Sequence, residues 1–263
     1  MSGTLNIIEK TLLKAGKILL RDYGEVENLQ VSRKGPSNFV TSADLKVEKI
    51  LINEFQTIYP SYSIMSEERG FIQGDDKFTF IIDPIDGTTN FIHGIPYFCI
   101  SVGLQEKLPN GKKQMVAAGI YAPVLDELYL AERGEGATVN GRRLKVSARD
   151  NIEESSFASY ISKYNPERRK QDINSLTKFT TNIRILGSAA MELAFVSAGK
   201  LDGMWHANLK PWDIAAGTLL VTEARGRVSE IDGGDNFIES GSIIAGNENL
   251  FEKLRELVAP CYK

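Results

Sequence analysis

Apolar residues in the first sixty positions recur every three or four residues, which is the spacing of one face of a helix. The pattern predicts a first helix from about Thr4 to Tyr23 and a second that begins at Thr41 or Ser42 and ends before Pro60. We expect both helices to bury an apolar stripe. The stripes consist of Leu5, Ile8, Leu12, Ala15 and Leu19 in the first helix and of Val47, Ile50, Leu51, Phe55 and Ile58 in the second.

Shorter apolar runs of strand type follow in the middle of the chain. The first two lie at 63–65 and 80–82, and three more lie at 98–104, 115–121 and 127–131. Pro-Asn-Gly and Ala-Pro-Val turns separate these last three, which predicts an antiparallel meander.

Strand and helix patterns alternate after residue 150. Strands are predicted at 156–159, 182–186, 226–230 and 242–245, and helices at 166–177, 188–198, 211–224 and 247–258. Such alternation favours a layered α/β arrangement. A soft boundary near Asn140-Gly141 then gives an N-terminal α+β half, 1–137, and a C-terminal α/β half, 138–263, packed as one globular unit.

The overall composition is that of an ordinary globular protein, with 42% hydrophobic and 25% charged residues among 263. The net charge is −3 without a basic block, so nucleic-acid binding through bulk electrostatics is not indicated. Two distant cysteines, Cys99 and Cys261, favour a reducing, cytoplasmic setting. Charged residues interrupt the apolar positions of the first twenty residues, so we expect an amphipathic helix there, no signal peptide and no membrane span.

The segment FTFIIDPIDGTTNFIHG, residues 78–94, carries the strongest chemical signal. An apolar strand is expected to end at Asp83-Pro84, Asp86-Gly87 supplies a turn, and Thr88 opens a short helix. Two carboxylates and free backbone N–H groups at one strand end can bind divalent cations and a phosphate. Asp-Pro and Asp-Gly pairs are also ordinary turn formers, so a simple turn is the alternative.

Further acids could complete such a site. Glu67 and Glu68 follow the strand at 63–65, and Asp213 lies in the first turn of a helix; a solvated pair and a helix cap are the respective alternatives. Asp44 could either cap its helix or serve the site, and Lys34 lies in the loop before it. Converging carboxylates about 4 Å apart would repel by several kcal/mol and therefore imply cations. Oxygen ligands alone favour Mg²⁺, Mn²⁺ or Ca²⁺ over zinc, and His93 and His206 are too few for a histidine-rich zinc site.

Five motifs, in this order along the chain, resemble those of the inositol monophosphatase family. The motifs are NFVTSAD at 38–44, SEE at 66–68, DPIDGTTNFIHG at 83–94, LGSAAMELAFVSAG at 186–199 and PWDIAAG at 211–217. The likeness covers nearly the whole chain and is strongest to bacterial members. It implies a layered αβαβα fold and a Mg²⁺-dependent, lithium-sensitive homodimer.

The resemblance also implies roles for individual positions. The metal ligands would be Glu67, Asp83, the carbonyl of Ile85, Asp86 and Asp213, with Glu68 adjacent. Gly87 and Thr88 would bind the phosphate, Asp44 would pair with Thr88 and its water, and Lys34 would lie near the metals on a mobile loop. Asp86, Gly187, Ser188, Ala189 and His206 would contact the substrate ring.

Together, the residues and the resemblance imply hydrolysis by a water molecule without a covalent phosphoenzyme. Mg²⁺ would lower the pKa of that water and stabilise the leaving oxygen, and Glu67 and Thr88 would position the water. We expect two or three Mg²⁺ ions, replaceable by Mn²⁺ and inhibited by Li⁺.

One position departs from the family pattern. Seven residues before Asp213, where the family usually has a glutamate that binds inositol hydroxyls, this chain has His206. A histidine in a surface loop is the alternative to a ring contact. The metal chemistry should survive this change, whereas the choice of alcohol is open.

The leading hypothesis is hydrolysis of inositol-1-phosphate or a similar small sugar phosphate. Related phosphatases act on fructose bisphosphate, adenosine 3′,5′-bisphosphate, histidinol phosphate or NADP, and the residues after Asp86-Gly87 favour the inositol group. A different class of function is contact with RNA polymerase and Nus factors in transcription antitermination, as in some bacterial relatives. That role would not require the acids.

Overall fold

The computed structural model describes residues 2–25, 31–35, 38–162, 165–179 and 182–262, with only the backbone for 31–35 and 38–40. Short 3₁₀ helices lie at Ile152–Glu154 and Ala259–Tyr262. The α-helices of the described part are α1 (Gly3–Gly24), α2 (Ser42–Ile58), α3 (Thr88–Ile92), α4 (Pro166–Leu176), α5 (Ala189–Ser197), α6 (Pro211–Glu223), α7 (Phe237–Ser240) and α8 (Phe251–Val258). None of these helices is both long and apolar enough to cross a lipid bilayer.

The strands form one large and one small mixed sheet and a separate hairpin of β1 (Val31–Gly35) and β2 (Asn38–Thr41). The strands of the large sheet are β3 (Tyr62–Ser66), β4 (Gly70–Ile72), β5 (Asp75–Asp86), β6 (Cys99–Lys107), β7 (Lys113–Ala122), β8 (Glu127–Glu132), β9 (Gly136–Val139) and β10 (Arg142–Arg143). Those of the small sheet are β11 (Ser156–Ser159), β12 (Asn182–Arg184), β13 (Gly203–His206), β14 (Arg227–Ser229) and β15 (Ile243–Gly246).

The large sheet has the strand order β10-β9-β8-β7-β6-β5-β3-β4, and the small sheet has the order β12-β11-β13-β15-β14. In the large sheet, β3 runs parallel to β5 and every other neighbouring pair is antiparallel. In the small sheet, β11 is parallel to both of its neighbours. The predicted meander, β6 to β8, is therefore confirmed.

Alternating side chains of the strands face different layers, and in the part of the chain that the structure describes this alternation builds three hydrophobic clusters. On β5, Ile82 packs with α1 and α2, whereas Ile81 packs with α5 and α6. On β13, Met204 faces α5 and α6, whereas Trp205 packs with α8. The order of layers is thus helix, large sheet, helix, small sheet, helix, which confirms the predicted layered αβαβα fold.

Helix α2 begins as its sequence indicates, because Thr41 and Asp44 form a reciprocal cap. The Thr41 hydroxyl accepts the N–H of Asp44 at 3.3 Å, and Oδ2 of Asp44 accepts the N–H of Thr41 at 2.7 Å. The closing helix begins later than predicted, at Phe251 instead of Asn247. The Asn247 side chain accepts the N–H of Leu250 at 3.0 Å and so holds the preceding residues as a turn.

The prediction that a strand ends at Asp83 is wrong, because β5 continues through Pro84 to Asp86. Asp83 pairs with Ser101 and Asp86 with Cys99, so β5 has one more residue than β6 over this step. Such a bulge accommodates a proline, which cannot donate to the ladder, and it redirects the side chains around it.

Helix α6 approaches the large sheet closely because Gly103 lies beneath its first turns. A Cβ atom at Gly103 would lie 3.2 Å from the Cβ of Ala215 and 3.3 Å from the N of Ala216. This contact keeps the N-terminus of α6, and with it Asp213, close to the strands of the large sheet.

Candidate metal and phosphate site

Three carboxylates converge where the end of β5 meets the start of α6. Asp83, Asp86 and Asp213 each place one carboxylate oxygen within 4.8 Å of the other two. Two negative charges about 4 Å apart repel by about 4 kcal/mol at an effective dielectric constant of 20. The structure therefore brings together three of the predicted metal ligands in an arrangement that a cation would stabilise.

The N-terminus of α5 holds the carboxylate of Asp86. Oδ2 of Asp86 accepts the hydroxyl of Ser188 at 2.7 Å and the N–H of Ala190 at 2.6 Å. Ser188 and the neighbouring Ala189 thus lie beside the acids, while Gly187 precedes them with a φ of +81° that favours glycine.

The other two carboxylates are fixed by local backbone bonds. Oδ1 of Asp83 accepts the N–H of Ile85 at 3.0 Å. Oδ2 of Asp213 accepts the N–H of Lys210 at 2.7 Å, which makes Asp213 a helix cap as well as a member of the acid group. The sequence offered a helix cap and a place in the site as alternatives for Asp213, and the structure shows that one side chain can do both.

Removal from water raises the pKa of all three acids. Burial raises the pKa of Asp86 from 3.8 to about 6, although the bonds from Ser188 and Ala190 oppose the shift. Burial, followed by the charges of Glu67 and Asp86, holds the pKa of Asp83 well above its usual range. The pKa of Asp213 is also raised well above that range, by burial and then by Asp86.

Glu67 faces this group from the end of β3 but does not belong to the set of three oxygens within 4.8 Å. Its N–H donates to the carbonyl of Ile82 at 3.3 Å, because β3 and β5 are parallel neighbours. Its charge raises the pKa of both Asp83 and Asp213. Glu68, by contrast, acts on Asp44, whose pKa is raised by burial and then by the charge of Glu68.

Thr88 links the end of β5 to α2. Its hydroxyl lies 2.9 Å from the carbonyl oxygen of Ile85 and 3.5 Å from Oδ1 of Asp44. Asp44 is fully buried, and burial raises its pKa to about 6. Asp44 therefore caps its helix with one oxygen and faces Thr88 with the other.

Gly87 is required by the backbone just before Thr88. Its φ is +94°, and a Cβ atom there would lie 3.0 Å from the carbonyl oxygen of Tyr97 and 3.2 Å from the Cβ of Ser188. The Asn90 side chain, one turn later, donates to the carbonyls of Tyr97 at 2.7 Å and Leu186 at 2.8 Å. Asn90, for which the sequence predicted no contact, thus connects α3 to the segment before α5.

His206 does not lie in a surface loop, so that alternative is wrong. It ends β13, an inner strand of the small sheet, and is only 4% exposed. Its Nε2 lies 2.6 Å from Oε2 of Glu192 on α5, and its ring stacks on Tyr160 with centroids 6.0 Å apart. Glu192 raises and His206 lowers the pKa of Asp86, so the pair lies beside the acid group.

Sequence reasoning missed Glu192. The signal in the sequence was weak, because it consisted only of one acidic residue within the otherwise apolar helix α5. Oε1 of Glu192 and Nδ1 of His206 are buried and have no hydrogen-bond partner in the described part of the chain. Lys34 is the one predicted residue whose side chain lies outside the described residues.

Comparison with known proteins gives a consistent result. A model of the inositol monophosphatase family matches residues 2–261. An inositol-1-monophosphatase of Mesorhizobium japonicum is 42% identical over 98% of this chain and 96% of its own length. The Nus factor SuhB of Pseudomonas aeruginosa is 37% identical over 99% of this chain and 97% of its own length.

A solved structure is equally similar. The extragenic suppressor protein SuhB of Bartonella henselae superimposes with a TM-score of 0.92 at 44% identity, covering 98% of both chains. The chain therefore belongs to the inositol monophosphatase family and is a phosphatase.

Proposed function

We propose that the protein is a Mg²⁺-dependent phosphatase that hydrolyses inositol-1-phosphate or a similar small phosphate monoester. The observation that carries the proposal is the convergence of Asp83, Asp86 and Asp213 within 4.8 Å. The donor set fits a hard cation, because it consists of carboxylates without cysteine or histidine.

Glu67, Asp83, the carbonyl of Ile85, Asp86 and Asp213 would hold two or three Mg²⁺ ions, with Mn²⁺ as a substitute and Li⁺ as an inhibitor. When bound, Mg²⁺ lowers the pKa of water and neutralises charge on the phosphate and the leaving oxygen.

The protein groups around Thr88 would orient the attacking water. The Thr88 hydroxyl lies between the Ile85 carbonyl and Asp44, so its proton points at one of these two acceptors. A lone pair of the same oxygen would then accept a hydrogen bond from the water. The Glu67 carboxylate would accept the proton of this water, and Asp44 would orient the Thr88 hydroxyl that positions it. The backbone of Gly87 and Thr88 would bind the phosphate. We assign no separate step to Glu68 or Lys34.

The alcohol would lie against Asp86, the segment Gly187–Ser188–Ala189, and His206. The buried His206–Glu192 pair supports this placement, because both residues act on the pKa of Asp86 and because Nδ1 of His206 has no hydrogen-bond partner among the described residues. We further propose a cytoplasmic homodimer whose halves, 1–137 and 138–263, form one globular unit.

Replacing Asp86 or Asp213 with asparagine should lower turnover of inositol-1-phosphate at least about 100-fold, since loss of a metal ligand removes several kcal/mol of charge stabilisation. Turnover is measured as phosphate release at saturating Mg²⁺, and circular dichroism checks the fold. Asp76→Asn, an exposed acid at the other end of β5, is the matched control and should keep wild-type turnover. Retained turnover in Asp86→Asn would contradict the assignment.

Replacing His206 with glutamine should lower kcat/KM for inositol-1-phosphate about tenfold. The reason is the loss of one hydrogen bond worth about 1.4 kcal/mol, which corresponds to a tenfold change. Glutamine can keep the contact with Glu192 but has no group at the position of Nδ1. Turnover of p-nitrophenyl phosphate, which has no alcohol hydroxyls, should change less than about threefold. His93→Gln, at an exposed position, is the control. Equal losses on both substrates would argue against a ring contact.

The alcohol itself is tested by comparing wild-type kcat/KM for inositol-1-phosphate with the values for fructose bisphosphate, adenosine 3′,5′-bisphosphate, histidinol phosphate and NADP. Failure to hydrolyse any of the five would overturn the proposal.

A second candidate function is a binding role in transcription antitermination, favoured by the similarity to the Nus factor SuhB of Pseudomonas aeruginosa. Such binding would not use the acids, so Asp86→Asn should capture RNA polymerase and Nus factors as well as the wild type does. Capture by neither protein, from purified components, would remove this function and leave the phosphatase proposal unaffected.

A further inference from the structure

We propose that Glu48 is a positioning residue that fixes the direction of Glu67 towards the acid group, and so sets the affinity for Mg²⁺. The inference rests on the proposed role of Glu67 as a metal ligand. Glu48 lies on α2, eighteen residues or more before the groups it contacts.

One oxygen of Glu48 accepts three hydrogen bonds from the turn that carries Glu67. Oε1 accepts the Ser66 hydroxyl, which lies on one side of Glu67 in sequence. The same atom accepts the backbone N–H groups of Glu68 and Arg69, on the other side, each at 3.0 Å. Glu67 is therefore held between a fixed residue before it and fixed amides after it.

The carboxylate of Glu48 is fully buried, and burial of a charge is costly unless donors compensate it. Among the described residues, the compensation comes from this one turn: besides the three hydrogen bonds, Nε of Arg69 lies 3.9 Å from Oε2. Oε2 accepts no hydrogen bond from any residue that the structure describes. The hydrogen bonds to the Glu48 carboxylate from the described residues all come from the turn that carries Glu67. Movement of this turn would therefore leave a buried charge without hydrogen-bond donors.

Helix α2 holds both sides of the site through one of its faces. Glu48 and Asp44 are four residues apart, so their side chains lie one turn apart on the same face. Asp44 faces Thr88, and Glu48 binds the turn of Glu67. The same helix thus aligns the proposed water-positioning hydroxyl with the proposed fourth acidic ligand.

The experiment is calorimetric titration of the metal-free protein with Mg²⁺, without substrate. Glu48→Ala should weaken binding about tenfold or more, the range observed when partners of metal ligands are removed. Glu48→Gln keeps an acceptor oxygen at the same place and should stay within about threefold of wild type. Ser66→Ala removes one of the three donors with only a small change in side-chain size, and it should weaken binding about two- to threefold.

Asp202→Ala is the matched control for loss of stability. Asp202 is also buried and also accepts a hydroxyl, a backbone N–H and an arginine, from Ser147, Ser156 and Arg149, but it precedes β13 at the end away from His206. It should lower the melting temperature without changing Mg²⁺ affinity.

Wild-type Mg²⁺ affinity in both Glu48→Ala and Ser66→Ala would overturn the inference and leave Glu48 with a structural role alone. Equal weakening in Glu48→Gln and Glu48→Ala would also overturn it, because charge and not hydrogen-bonded direction would then set the affinity. Glu67→Gln separates the two proposals: unchanged Mg²⁺ binding in that variant would mean that the proposed function of Glu67 has failed, independently of Glu48.

Discussion

Asp83, Asp86 and Asp213 repel one another, and the surrounding fold has to hold them together against that repulsion. Acids this close are stable without a cation only if they bind protons, and the raised pKa values of all three are consistent with this. The fold holds them in place all the same, through the bulge of β5, the N-terminus of α5 and the first turn of α6. Repulsion among the three carboxylates destabilises the fold, and the hydrophobic clusters between the layers offset this cost.

The two inner helices, α5 and α6, explain how residues from distant parts of the sequence meet. Both helices begin at the acid group: Ala190 of α5 donates its N–H to Asp86, and Asp213 lies in the first turn of α6. Their positive ends face the carboxylates, which favours the ionised acids when a cation is present. Close packing at Gly103 fixes the depth at which α6 lies on the large sheet.

Local signals in the sequence predicted the fold well. Apolar periodicity located α1 and α2, the turn residues separated β6 to β8, and the motif residues identified the acids. The extension of β5 through Pro84 was missed because it depends on pairing with Ser101 and Cys99 of β6, which no local pattern reveals. The burial of His206 depends on its place within the small sheet, and its partner Glu192 lies on another element. Glu48 was missed in the same way, although its spacing of four residues from Asp44 was a readable signal.

If the acid group is a cation site, Mg²⁺ competes there with the protons that the raised pKa values retain. Asp86, with a pKa raised from 3.8 to about 6, stabilises the metal-free fold fully below about pH 4 and loses that contribution as the pH rises through 6. Mg²⁺ binding must displace such protons. Calorimetric titration with Mg²⁺ in buffers of different ionisation enthalpy should therefore show proton release that is larger at pH 6 than at pH 8. Mg²⁺ binding without proton release at pH 6, or no Mg²⁺ binding at either pH, would contradict the account.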